Sequence, residues 1–141
     1  MATPVYGKQF IRFAETGYVK ETDSFEQFTV VGVDSSAGTE PPTLALLTAS
    51  GEAFGVVQQD VDLVDPEKAT TGQRLATVAT SGLLLVQAGA TTPAQGTALT
   101  VDAEGKAISG AGFDVTVNST TPQVRQVVAI GGITHVLVSF S

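Results

Sequence analysis

The chain has 141 residues, with 14 acidic and 7 basic side chains, one His, no Cys and no Trp, a size that fits one domain. The lack of Cys excludes disulfides, thiolate metal sites and Cys nucleophiles, and the lone His135 excludes a His-rich metal cluster. A net charge of −7 opposes nucleic-acid binding through phosphate neutralisation, and no apolar run is long enough to span a membrane. We expect a soluble protein made in the cytoplasm, with no cofactor and no metal.

Val, Thr, Ala and Gly fill about half of the chain, a composition that favours strands. The charge is uneven. Lys8, Arg12 and Lys20 against Glu15 give the first 20 residues a net +2 and leave −9 for the rest. Tyr6, Phe10, Phe13, Tyr18 and Phe25 put five of the nine aromatics into the first 25 positions. Aromatics and Arg are enriched where proteins meet partners, so this segment is either a contact arm or a seed of the core. Its local form is also open. Thr3, Pro4 and the spacing of Tyr6, Phe10 and Phe13 suit a short helix closed by Gly17, whereas Gly7 and the run Phe10–Phe13 suit an added strand. We read residues 1–26 as an extended arm and 27–141 as the body.

Along the body, Gln27–Val33 is strand-like and Asp34–Pro42 is a turn-rich loop. Thr43–Ala49 and Ala53–Gln58 read as a hairpin, with Gly55 marking a bulge or a close backbone approach. Asp60, Asp62, Asp65 and Glu67 crowd around Pro66, but their spacing does not fit a calcium loop and a solvated acidic face is the simpler reading. Gln73–Thr80 and Gly82–Gln87 read as a second hairpin across Ser81–Gly82. Thr97–Val101 and Lys106–Ile108 make a third, across Asp102–Gly105. Such regular strand and turn spacing predicts an all-β barrel or sandwich.

The last segment is the clearest. Val124–Ile130 and Ile133–Phe140 flank Gly131–Gly132, a favoured two-residue hairpin loop. Pairing Ile130 with Ile133 makes both faces largely apolar, so one face should be core and the other covered by a second subunit. The expected subunit contacts are Val127, Val136, Val138 and Phe140, and His135 reads as a core or interface histidine. No nucleophile elbow, phosphate loop, zinc-protease motif or complete dinucleotide motif is present, so no residue is assigned a catalytic role. Lys106 lacks the flanks of a lipoyl or biotinyl lysine, and Asn118–Thr120 fits a sequon that more simply marks a turn.

Four stretches together resemble a known family: Ser50–Val57 (SGEAFGVV), Gly72–Val78 (GQRLATV), Leu85–Ala90 (LVQAGA) and Gln95–Ala107 (QGTALTVDAEGKA). Their order is similar to that of the head decoration, or capsid cement, proteins of tailed bacteriophages, over Ser50 to Ile108. The resemblance implies a small SH3-like or tulip-like β-barrel with an extended N-terminal arm, assembled as a homotrimer. It would sit on the outer surface of the virion head at three-fold and quasi-three-fold positions and bridge major capsid protein subunits, with no nucleic-acid or membrane partner. Within that reading the capsid contacts are Tyr6, Phe10, Arg12, Phe13 and Tyr18. The alternative is a receptor- or carbohydrate-binding β-domain of a phage tail or spike, which the lack of Trp disfavours.

Overall fold

A computed structural model describes residues 9–20, 23–34, 42–47, 50–61 and 74–140. These are all-β, 61% strand with no helix, arranged as two sheets. In chain order the strands are β1 (Phe10–Val19), β2 (Val30–Val33), β3 (Leu44–Leu46), β4 (Gly51–Glu52), β5 (Gly55–Val57), β6 (Arg74–Gln87), β7 (Thr100–Val101), β8 (Ala107–Ile108), β9 (Phe113–Thr116), β10 (Gln123–Ile130) and β11 (Ile133–Phe140). The larger sheet has seven strands in the order β10, β11, β6, β5, β2, β3, with β1 also paired to β6; the smaller has the order β4, β9, β7, β8. The expected closed barrel is therefore corrected to two sheets. Closure needs every strand bonded on both edges, whereas β10 and β3 end the larger sheet.

The 14-residue β6 organises the fold. It pairs with β1 over Arg74–Leu83, with β5 at Val78–Ala79 and with β11 over Gly82–Gln87. The hairpin expected across Ser81–Gly82 is thus one continuous strand, because its two halves pair with other strands instead of each other. Gly82 supplies an irregularity rather than a turn: its φ is +125°. The β1–β6 register shifts twice nearby, between Ile11 and Phe13 and between Phe13 and Ala14. As a result Ala76 and Val78 join one buried cluster, with Val19, Phe25, Val31, Leu44, Val57 and Val61. Ala79, Leu84 and Val86 join the other, with Val30, Leu99, Val115, Val124 and Phe140. One strand feeds a core on each of its two faces.

The first expected hairpin is also corrected. β3 and β5 do not pair with each other but flank β2, antiparallel on either side. Gly55 does mark a close approach, since a Cβ there would lie 2.3 Å from the carbonyl oxygen of Ala79. The third hairpin forms as expected: Val101 pairs with Ala107, and Asp102 Oδ1 accepts the amides of Glu104 at 2.9 Å and Lys106 at 3.0 Å across the turn.

The terminal hairpin pairs Ile130 with Ile133 around Gly131–Gly132, both glycines at positive φ. Its expected role in trimer contacts is corrected for three of four residues. Val136, Val138 and Phe140 lie in the chain's own core at 0%, 0% and 2% exposure. Burial of each is worth about 1.5–3 kcal/mol, so offering them to another subunit would forfeit much of a domain's net stability of about 5–15 kcal/mol. On the opposite face Val128, His135 and Leu137 are buried, while Ile133 beside the turn stays exposed. Only Val127 of the expected set remains open to solvent.

Residues expected to form a separate arm enter the body. Val19 and Phe25 are buried in a core cluster, and a Cβ at Gly17 would meet the Leu44 side chain at 2.4 Å. The edge of the packed body therefore falls within β1, not at residue 26.

Candidate functional site

The N-terminal half of β1 is where the molecule leaves apolar surface open. Every residue from Phe10 to Thr16 is exposed, and burial begins at Gly17. Phe10 is 70% exposed and Phe13 60%. Phe10 lies opposite Leu83 and Tyr18 opposite Leu75, and both leucines are themselves exposed. Phe10, Ile11, Phe13 and Leu83 gather exposed apolar side chains at one end of this two-stranded ribbon, with exposed Leu75 at the other end. A cluster of this kind marks an interaction surface more often than scattered single residues do.

The ribbon is fixed by specific contacts. Gly82 lets the Phe10 backbone lie directly on β6, where a Cβ would stand 2.0 Å from the Phe10 carbonyl oxygen. The register shift at Arg12 brings its guanidinium to 5.6 Å from the centroid of the Phe13 ring, a cation–π pairing. Thr80 Oγ1 donates to the Phe13 carbonyl at 3.4 Å. At the far end, Tyr18 N–H donates to Pro42 O at 2.9 Å, and the Arg74 guanidinium donates to the carbonyls of Lys20 and Asp23. β1 is therefore pinned at its C-terminal end. Just before its N-terminal end Gln9 accepts the Leu85 amide at 2.9 Å and donates to Gln58 at 2.6 Å, so the exposed side chains lie between two anchored ends.

Beside the ribbon runs a groove of about 630 Å³ whose walls include Arg12, Phe13 and Glu15 from β1 and Glu52, Phe54 and Asn118 from the opposite side. That opposite wall is held by Glu52. Its carboxylate accepts the amides of Ser119 at 3.0 Å and Asn118 at 3.3 Å. Those residues form a tight turn closed by mutual bonds between Val117 and Thr120, with φ of +51° at Asn118 and +65° at Ser119. Two positive φ values in a two-residue loop are the type I′ geometry, which Asn tolerates and Ser does not favour.

The expected contact residues separate into groups. Phe10, Arg12 and Phe13 come together on the exposed ribbon, Tyr18 is half-buried at its pinned end, and Tyr6 lies outside the described residues. The basic character of the segment is reduced, since Lys20 is ion-paired with Asp34, whose hydrogen bond raises the lysine pKa. Lys8 lies outside the described residues, and Arg12 is the exposed cation of β1 among those described.

The remaining candidates resolve into structural roles. His135 is buried, with Nδ1 2.9 Å from the Ile133 carbonyl and its ring edge-on to Phe28 at 5.5 Å. Asp60 Oδ1 accepts the Gln27 amide at 2.8 Å, while Asp62, Asp65 and Glu67 lie outside the described residues. Among the described residues no group of three His, Asp or Glu side chains could hold a metal ion. Lys106 is ion-paired with Glu26 at 2.8 Å. Among the described residues no helix is long and apolar enough to cross a membrane. Sequence reading missed Leu75, Leu83 and Glu52. Leu83 sits in the uninterrupted run Leu83–Val86, where alternation cannot show which leucine faces out. No protein-family model, curated protein or solved structure matches the chain.

Proposed function

We propose that this chain is a decoration protein of a tailed-phage head, binding the outer surface of the expanded shell and bridging neighbouring major capsid protein subunits. The observation that supports this reading most directly is the exposed row Phe10, Arg12 and Phe13, held on a strand whose other end is locked into the β body. A cement needs a body that resists unfolding and a surface that buries large side chains against its partner, and aromatics with Arg supply most binding energy per residue in such contacts. The acidic remainder of the chain keeps the free protein soluble and is repelled by nucleic acid, which suits attachment outside a DNA-filled shell. The order of small-residue β segments from Ser50 to Ile108 adds the family resemblance.

The test is co-sedimentation with empty heads of the cognate phage, before and after expansion. Saturable binding to expanded heads, with a rise in their disruption temperature, is the expected result. No binding to either form would reject the reading. Selective capture on a glycan surface instead would favour a receptor-binding domain.

A further inference from the structure

We propose that the cavity at the turn end of the terminal hairpin is a binding site for an alkylammonium group the size of a lysine side chain. This goes beyond head binding and does not depend on it. The cavity holds about 280 Å³ and shares no residue with the groove beside β1. Sites for drug-sized ligands run from roughly 300 to 1,000 Å³, so this one suits a single side chain or a small amine. His135 is the buried member of its lining, at 5% exposure. Its Nδ1 lies 2.9 Å from the Ile133 carbonyl, which can only accept, so that nitrogen carries the proton. In the neutral ring the other nitrogen, Nε2, is then an acceptor with a free lone pair. Nε2 makes no hydrogen bond among the described residues, yet it is not sealed within the core. Such an atom, on a buried side chain bordering a cavity, is one that a donor-bearing ligand would satisfy.

The charged groups of the lining are acceptors too. Asp60 gives Oδ1 to the Gln27 amide at 2.8 Å and keeps Oδ2 without a partner among the described residues. Glu26 holds Lys106 Nζ at 2.8 Å through Oε2, with Oε1 left over. Acceptors from three separate segments, and two carboxylates set against the one cation Lys106, call for a positive ligand with several donors. An ammonium spreads three donors about one atom, whereas a planar guanidinium suits the paired oxygens of a single carboxylate. Phe28, Ile130 and Ile133 complete the lining with apolar surface, which suits the alkyl stem of such a group. Phe28 is fixed at a φ of +65°, its N–H donating to the Val57 carbonyl and its own carbonyl accepting from the Gln87 N–H, each at 2.7 Å. The chain's net charge of −7 draws cations toward it.

His135 is the chain's one histidine, so its imidazole signals report on the cavity without ambiguity. The test is an NMR titration of the full chain at about pH 8 with n-butylammonium, with Nα-acetyl-lysine methylamide, and with n-butanol as the uncharged control. The amine should shift the Nε2 resonance saturably, in about the millimolar range for so few atoms. Binding of n-butanol should be weaker by at least about tenfold. Equal binding of the lysine derivative identifies a protein side chain as the source, and binding of n-butylammonium alone identifies a free amine; either result supports the site. Asp60→Asn keeps an acceptor for the Gln27 amide and should weaken amine binding about tenfold, whereas Lys106→Met frees Glu26 and should tighten it about threefold. A general folding defect would not give opposite signs. No saturable shift, equal binding of n-butanol, or an affinity indifferent to both substitutions would each overturn the proposal. Head binding is read separately, so failure of this site and failure of the proposed function remain distinguishable.

Discussion

The carbonyl oxygen of Phe10 lies where a side chain on Gly82 would begin, 2.0 Å from the position of a Cβ. The pairing of β1 with β6 at Phe10 therefore rests on the absence of one methyl group. Gly82 also has a φ of +125°, a conformation that L side chains rarely adopt. Gly82→Ala should cost about 2–4 kcal/mol from backbone strain and overpacking together. Hydrogen exchange should show the loss first at β1 amides near Phe10, with the amides of β11 protected for longer; urea unfolding gives the total.

The turn at Asn118–Ser119 carries strain that one substitution should relieve. Ser119 holds a φ of +65°, and Asn–Gly is the favoured pair for this turn. Ser119→Gly should stabilise the protein by about 0.5–1 kcal/mol. Glu52→Ala should destabilise it by about 1 kcal/mol, because two turn amides lose a charged acceptor at an exposed site. Thermal melts of both variants check the opposite signs.

The Lys106–Glu26 pair predicts a pH window. The hydrogen bond to Glu26 raises the Lys106 pKa above its ordinary 10.5, so its stabilising contribution is fully present below that pH and is lost as pH rises through the raised value. Lys106→Met should lower the melting temperature at pH 7 to 9, and the gap to wild type should close as the lysine deprotonates in stronger base.

The parts of the fold legible in the sequence were those set by local chemistry. Gly131–Gly132 between two apolar runs specified a hairpin, and Asp102–Gly105 specified a turn, because a two-residue loop and an aspartate cap act within a few residues. Pairing between distant strands was not legible. Ser81–Gly82 has turn composition, yet its glycine serves a close approach to Phe10, 72 positions earlier in the chain. The two apolar faces of β11 suggest a subunit contact because a single hairpin gives no sign that Val136, Val138 and Phe140 on one face and His135 and Leu137 on the other are buried within the chain. At the candidate site, the aromatic and basic bias of the first 20 residues pointed to Phe10, Arg12 and Phe13. It gave no sign that Val19 would be core or that Lys20 would be neutralised by Asp34.

The central claim is that exposed rings on β1 grip a partner without supporting the fold. Deleting the first 20 residues cannot test it, because the deletion also removes Gly17 and Val19 from the packed body. The double substitution F10A/F13A removes only rings that are 70% and 60% exposed. The decisive measurement is co-sedimentation of this variant with expanded heads, alongside its melting temperature. The account predicts a stability within about 0.5 kcal/mol of wild type and binding reduced at least about a hundredfold, as expected for two aromatic anchors at about 1.5–2 kcal/mol each. A variant that binds heads as tightly as wild type, or one that unfolds, would contradict it.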